Sequence, residues 1–320
     1  MGTVGIIANP AAGKDIRRLV SSASPTSDMA KIGIVRRALV GAIEGGAERV
    51  VIADDHKSLG RHAMQGLDLP DSVPVEIIGD EVLPTSFHSR RMAEQLRAAG
   101  VNALVTLGGD GTHRDIAKGW RKVPMVPVST GTNNVYPQMV EATIAGQAAA
   151  VAAAGGKSIS LIAHRAKVLD VVGDGIPDDL ALIDIALIDG AAFTASRAVW
   201  DVSALSELVV TTAEPATIGL SSIAAQIAPV TRREFGGVHV SFGPGRTVRA
   251  PIAPGLYQDV DIAAAGRIGL GDPVVLTGPG VLAFDGERDL VLGPGQEVTV
   301  TLKANGPWVI DPTAALTSLR

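Results

Sequence analysis

The sequence predicts an α/β domain with a parallel sheet covered on both faces, followed by an antiparallel β-rich domain. Three observations carry this. Up to residue 157, short apolar runs alternate with amphipathic segments. From Ser158 onward, short Val, Ile, Leu and Thr runs are divided by Pro-Gly pairs, and helical periodicity becomes rare. The third is length: 320 residues exceed one ordinary core, so two domains are expected, 1–157 and 158–320.

In the first part, residues 4–8, 49–53, 75–78, 103–107 and 126–128 read as strands bounded by turn residues. Between the first two, Ile32, Val35, Leu39 and Ile43 recur at helical spacing; Asp28 is the expected cap and Gly45-Gly46 the stop. Residues 85–100 repeat the logic, with Thr85 as cap, Met92, Leu96 and Ala99 on one face and Gly100 past the end. An Ala-rich helix is predicted within 137–157, stopped by Gly155-Gly156. In the second part, turns are expected at Pro244-Gly245, Pro254-Gly255, Pro279-Gly280 and Pro294-Gly295, with one short helix over 218–227. Such strands form a sandwich or a barrel-like domain, and the cleft between the two domains is the expected site.

Composition narrows the function classes. Hydrophobic residues make up 46% and charged residues 19%, which indicates a globular chain rather than a disordered one. The absence of cysteine excludes disulfides, cysteine-ligated zinc, iron–sulfur clusters and thiol nucleophiles. A formal net charge of -5 argues against a general binder of nucleic acid or of anionic membranes. Pairs such as Arg36-Arg37, Arg90-Arg91 and Arg232-Arg233 read as solvated faces, with a phosphate contact as the alternative. No run reaches the ~18 apolar residues of a membrane span and no secretory signal opens the chain, so a soluble cytoplasmic protein is expected. The six histidines show no ligand spacing for a transition metal. His113 reads as an exposed helix residue, or as a phosphate donor when protonated.

The strongest chemical signal is Gly108-Gly109-Asp110-Gly111-Thr112, set between an apolar strand and a helix start near His113. Glycines let a backbone approach a phosphate closely, and the first amides of a helix lack partners of their own. A carboxylate there suits a site holding a metal ion or receiving a proton, so Asp110 is the candidate base and Mg²⁺ ligand. The competing reading is a tight strand–helix turn with a capping aspartate. A second loop, Ser129-Thr130-Gly131-Thr132-Asn133-Asn134, follows another strand at the same end of the sheet and offers many uncharged donors. A third, Asn9-Pro10-Ala11-Ala12-Gly13-Lys14, again follows a strand, and Lys14 can reach a phosphate as a point charge. It is not a Walker A loop, because Ala8 and Asp15 stand where Gly and Ser or Thr are required.

With these residues in view, the chain resembles the superfamily of NAD kinases and diacylglycerol and sphingosine kinases. The GGDGT at 108–112 is similar to its signature loop, residues 9–14 to the NPxxGK opening, and 131–134 to the GTxN element. Phe284-Asp285-Gly286-Glu287 is similar to a late DGE element. Of the groups within it, the acetoin catabolism protein X type fits best, and that resemblance brings no settled activity. It implies a Rossmann-like N-terminal domain and an antiparallel β-sandwich C-terminal domain, with ATP and Mg²⁺ between them and NAD among the substrates. It assigns catalysis to Asp110, with Glu287 beside it, although an Asp-Gly pair is also a strong hairpin-turn signal. Binding falls to Asn9, Lys14, Gly108, Gly109, Gly111, Thr112, Thr130, Gly131, Thr132, Asn133 and Asp184.

Two departures from the NAD kinase pattern affect specificity. Ile183 replaces the amide of the Asn-acidic pair that Asp184 would complete, and 219–224 keeps hydroxyls but not the GSTAY-like turn. The leading expectation is an ATP- and Mg²⁺-dependent kinase acting on a hydroxyl of a small soluble acceptor. The alternatives are a non-catalytic NAD- or ATP-binding regulatory protein and a lipid kinase, the last disfavoured by the acidic charge balance. By the same resemblance a homo-oligomer, dimer or tetramer, is expected.

Overall fold

Along the first strand, β1 (Thr3–Ala8), Val4, Ile6 and Ala8 enter one buried cluster and Ile7 the opposite one. The same division recurs on β2 (Arg49–Ala53), where Val50 and Ile52 part from Val51 and Ala53. It recurs again on β4 (Ala103–Gly108). Strands apolar on both faces need helices on both sides, and that is the architecture of this computed structural model. It describes residues 2–13, 26–79, 87–131, 134–189 and 202–318.

The helices α1 (Asp28–Glu44) and α5 (Ala142–Ala153) cover one face, and α3 (Phe87–Ala98) and α4 (Asp110–Gly119) the other. The short α2 (Leu59–Met64) packs beside α1. Small residues let α1 and α5 come very close: a Cβ on Gly41 would lie 2.0 Å from the Thr143 carbonyl oxygen, and one on Gly146 2.1 Å from that of Ala38. The cap of α1 is Ser27, whose hydroxyl accepts from the Ala30 amide, rather than the expected Asp28, which sits one position inside the helix. Thr85, the expected cap of α3, lies outside the described residues.

With β3 (Val75–Ile78), β5 (Pro124–Ser129), β6 (Ala163–Arg165) and β17 (Trp308–Ile310), the sheet runs in the order β3-β2-β1-β4-β5-β17-β6. β1 to β5 pair in parallel; β17 joins β5 in parallel and β6 antiparallel. The sheet therefore crosses the boundary expected at residue 157, taking two strands from the stretch 158–320. The chain end then packs α7 (Pro312–Thr317) on α5.

The second part is a sandwich of two antiparallel sheets, as expected. One is β12 (Leu256–Ile268), β11 (Gly237–Ala253), β10 (Leu205–Val210), β9 (Asp184–Ile188), β14 (Gly280–Phe284) and β15 (Glu287–Leu292), in that order. The other is β13 (Pro273–Thr277), β16 (Glu297–Lys303), β7 (Val168–Gly173) and β8 (Ile176–Ala181). Leu169, Ile185, Leu282, Phe284 and Val300 share the core between them. The short α6 (Leu220–Ala225) covers the outer face of the larger sheet. Pro254-Gly255 makes the β11–β12 turn, whereas the turn expected at Pro244-Gly245 is a bulge inside β11, where Phe242 and Arg246 both register with Ile262.

Candidate nucleotide-phosphate site

β4 ends at Gly108, Gly109 is the cap in an extended conformation, and α4 begins at Asp110. The amides of the first turn, Asp110 to Thr112, therefore have no carbonyl partner within the helix. Side chains press on all three glycines, most tightly at Gly108, whose neighbour is the Cβ of Thr112. A Cβ at Gly108 would meet the Thr112 side chain at 2.5 Å, one at Gly109 the Asn134 Oδ1 at 3.0 Å, and one at Gly111 the Glu287 Oε1 at 2.8 Å. Glu287, at the start of β15, thus reaches the first turn of α4, the helix end that Asp110 begins.

The Asp110 side chain does not cap its own helix. It reaches the loop after β5, accepting the Tyr136 amide at 2.8 Å and the Val135 amide at 3.1 Å. That anchors the second expected loop against the first. Within the second loop, Ser129 Oγ donates to the Gly131 carbonyl at 2.7 Å and accepts from Asn134 Nδ2 at 2.8 Å. The Thr130 hydroxyl is buried and meets no hydrogen-bond partner among the described residues. Thr132 and Asn133 lie outside the described residues.

The third loop closes on the same place. Asn9 Nδ2 donates to Thr112 Oγ1 at 2.8 Å, while Asn9 Oδ1 holds the Ala11 amide at 2.8 Å. The Thr26 hydroxyl donates to the Thr130 carbonyl, joining the third loop's return to the second. Lys14, the expected phosphate contact, lies outside the described residues. A cation that sequence reasoning missed, Lys31, is buried there; its Nζ donates to the Pro10 carbonyl at 2.6 Å and lies 3.7 Å from Asp28.

The sandwich supplies a part the sequence did not disclose. Asp285 and Gly286 form the β14–β15 turn with φ of 50° and 81°, as the Asp-Gly signal implies. The Asp285 carboxylate, however, points inward and accepts the amides of Ile183 at 2.7 Å, Leu182 at 2.9 Å and Asp184 at 3.1 Å. Burial pushes its pKa up to about 7, against the pull of Arg114 and of the Leu182 and Ile183 amides; the Asp110 charge adds to the rise. Asp184, expected to touch nucleotide, is buried at the start of β9, and its carbonyl accepts from the Asp285 amide at 2.9 Å. Arg114 ties α4 to the sandwich. Its guanidinium donates to Asp179 and to the Leu180 carbonyl, each at 2.7 Å, and stacks 4.6 Å from the Phe284 ring centre.

His113 departs from both of its sequence readings. It is fully buried, with Nδ1 at 2.7 Å from the Gly109 carbonyl oxygen and Nε2 at 2.9 Å from Thr106 Oγ1. Desolvation lowers its pKa to about 4, so it is a neutral strut under the loop rather than a phosphate donor.

A pocket of ≈ 360 Å³ opens beside the site, between the sheet domain and the sandwich. Tyr136, whose amide binds Asp110, turns its ring into it, and Leu182 and Ile183 form an apolar wall. Among the described residues no group of three or more His, Asp or Glu is arranged to hold a metal on its own.

With this geometry in place, the relatives can be set beside it. Residues 4–156 match the ATP-NAD kinase N-terminal domain model, and residues 167–305 match the acetoin catabolism protein X C-terminal domain model. Acetoin catabolism protein X of Cupriavidus necator is 38% identical over 327 residues, covering 98% of this chain and 91% of that protein. In structure, yeast NADH kinase complexed with NADH superposes with a TM-score of 0.53 at 13% identity, over 100% of this chain and 86% of that one; the likeness is one of fold. A diacylglycerol kinase from Bacillus anthracis str. Sterne aligns more weakly, with a TM-score of 0.46 at 11% identity over 97% of each chain. The fold is that of the NAD kinases, and the chain belongs to the acetoin catabolism protein X family.

Proposed function

We propose that this protein binds ATP at residues 108–112 and transfers its terminal phosphoryl group to a hydroxyl of a small soluble acceptor, NAD or a related nucleotide. The observation that carries this reading is the reach of Glu287 to the first turn of α4, where Asp110 begins the helix, with Asn9 bound to Thr112 and the buried Thr130 hydroxyl in the adjoining loop. Two carboxylates next to a phosphate cradle suit Mg²⁺, which takes one or two protein oxygens and completes its shell from phosphate and water. When bound, the ion would neutralise charge on the transferring group. The amides of Asp110, Gly111 and Thr112 would bind phosphate oxygens. The acceptor hydroxyl would give its proton to the Asp110 carboxylate as its oxygen bonds to the γ-phosphorus and the bridge to the β-phosphate breaks, releasing ADP. Gly108, Gly109, Gly131, Thr132, Asn133, Lys14 and Asp184 complete the proposed binding set.

Two observations favour a second reading, a regulatory protein that binds NAD or ATP without turnover. Asp110 already accepts two amides, and Ile183 presents no polar group to a dinucleotide. ADP release measured with ATP, Mg²⁺ and a panel of nucleotides decides. Turnover that is lost in Asp110→Asn supports the kinase; micromolar binding without product supports the regulator. No helix among the described residues is long and apolar enough to cross a membrane, and failure to float with liposomes would remove the lipid-kinase reading. Cytoplasmic location and a dimer or tetramer through the sandwich remain part of the proposal, the latter checked by light scattering.

A further inference from the structure

The pocket between sheet and sandwich carries an electrostatic imbalance that the phosphate loop does not explain. Lys167 lies between β6 and β7, 6% exposed, and lines the pocket. Its Nζ donates to two neutral carbonyls, Thr231 at 2.9 Å and Gly236 at 2.7 Å; among the described residues no carboxylate lies within ion-pair distance, and Glu234 and Glu214 act on it from farther away. An ammonium has three N–H groups, so one remains unused. Beside it, the Tyr136 hydroxyl is buried without a hydrogen-bond partner, and so is the His164 Nδ1. Arg232 adds a second positive charge, partly offset by Glu214 at 3.3 Å.

Buried polar atoms in native proteins are almost always satisfied, and a buried cation without a counter-ion is costly. Three residues that line one cavity carry such groups, one of them a cation, and together they suit a negatively charged ligand. Most of the remaining lining is apolar, with Leu182 and Ile183 on one wall, and the hydroxyls of Thr211 and Thr212 already donate to the Leu182 and Val230 carbonyls. We infer that this pocket binds a small organic carboxylate, its charge against Lys167 and Tyr136 and its short carbon body against Leu182 and Ile183. A single uncompensated charge and an apolar wall favour a monoanion with a hydrocarbon part over inorganic phosphate. The inference does not require phosphoryl transfer at the glycine loop.

Burial lowers the Lys167 pKa to about 8; Glu234 and Glu214 oppose the shift and Arg267 adds to it, while Tyr136, His164 and Arg232 face the same space. A bound anion favours the protonated lysine. Carboxylate affinity should therefore fall about tenfold from pH 7 to pH 9, one unit above that pKa.

The test is a thermal-shift and calorimetric titration of the full chain, without nucleotide, using propionate, pyruvate and inorganic phosphate separately. Propionate or pyruvate should raise the melting temperature at pH 7, and the response should weaken at pH 9. Tyr136→Phe removes a hydroxyl that bonds to nothing, so it should keep the ligand-free melting temperature and bind the carboxylate about tenfold more weakly. Lys167→Met should abolish binding; if that variant does not fold, Tyr136→Phe still decides. No response to either carboxylate, unchanged affinity in Tyr136→Phe, or binding of phosphate in their place would overturn the assignment. Because no ATP is present, failure of the kinase reading leaves the result untouched.

Discussion

The glycine loop and the neighbouring pocket are both polar, yet they treat their polar groups in opposite ways. At the loop, most side-chain partners come from within the protein, the Thr130 hydroxyl being the exception: Asp110 holds two amides, Asn9 holds Thr112, and Ser129 holds Gly131 and Asn134. In the pocket, Lys167, Tyr136 and His164 have groups that the fold leaves unmatched. The difference teaches where to look for ligand specificity. A cradle that is internally braced can hold a common group such as phosphate without moving, whereas unmatched groups discriminate, since a ligand lacking the right atoms leaves them unpaired.

The comparison is broken most severely at Arg114, which joins the loop helix to the sandwich beneath both sites. Arg114→Ala should cost about 3 kcal/mol in urea unfolding, because the buried Asp285 loses a nearby positive charge and the Leu180 carbonyl a donor, while Asp179 keeps only Lys118. Asp110→Asn should cost about 1–2 kcal/mol, since an amide matches two backbone donors less well, and it should remove any ATP-dependent rise in melting temperature. Gly111→Ala sharpens the contrast. The added methyl displaces Glu287, so ATP affinity measured by calorimetry should drop about tenfold, roughly 1.4 kcal/mol, while propionate binding stays unchanged.

Two buried groups at the loop should pull stability in opposite directions between pH 4 and 7. His113 titrates near 6.5 when unfolded and about 4 when folded. The unfolded chain then holds the extra proton, and stability rises with pH across 4 to 6.5. Asp285 titrates near 3.8 unfolded and about 7 folded, so the native state holds the proton and its contribution is lost as pH rises toward 7. Asp285→Asn should therefore steepen the rise of unfolding free energy with pH, and His113→Gln should flatten or invert it. The smallest effect is expected at Tyr136→Phe: ligand-free stability within about 0.5 kcal/mol of the parent, because no bond is lost.

Legibility in the sequence followed the range of the interactions. Alternating strands and helices could be read because burial on two faces imposes a local period, and the ranges of β2 and β3 agree with the reading to the residue. Gly108–Thr112 was legible because a strand, a glycine turn and a helix start are neighbours in the chain. The reach of Glu287 to the helix end that Asp110 begins had only the order of motifs behind it. The role of Asp285 was hidden, because its partners, residues 182–184, are about a hundred positions away and use main-chain amides, which every residue has. His113 was misread for a related reason: helical position alone does not say which face the sandwich and sheet will bury.

Periodicity, turn residues and the ordered glycine-rich motifs were enough to give the α/β and β-rich parts and the strand–glycine turn–helix at 108–112, since each acts over a few residues. Packing decided the rest. The return of Trp308–Ile310 into the first sheet, the inward turn of Asp285 and the unmatched charge of Lys167 arise from segments far apart in the chain. Their energies depend on which surfaces exclude water together, and that is a property of the assembled fold, not of any stretch within it.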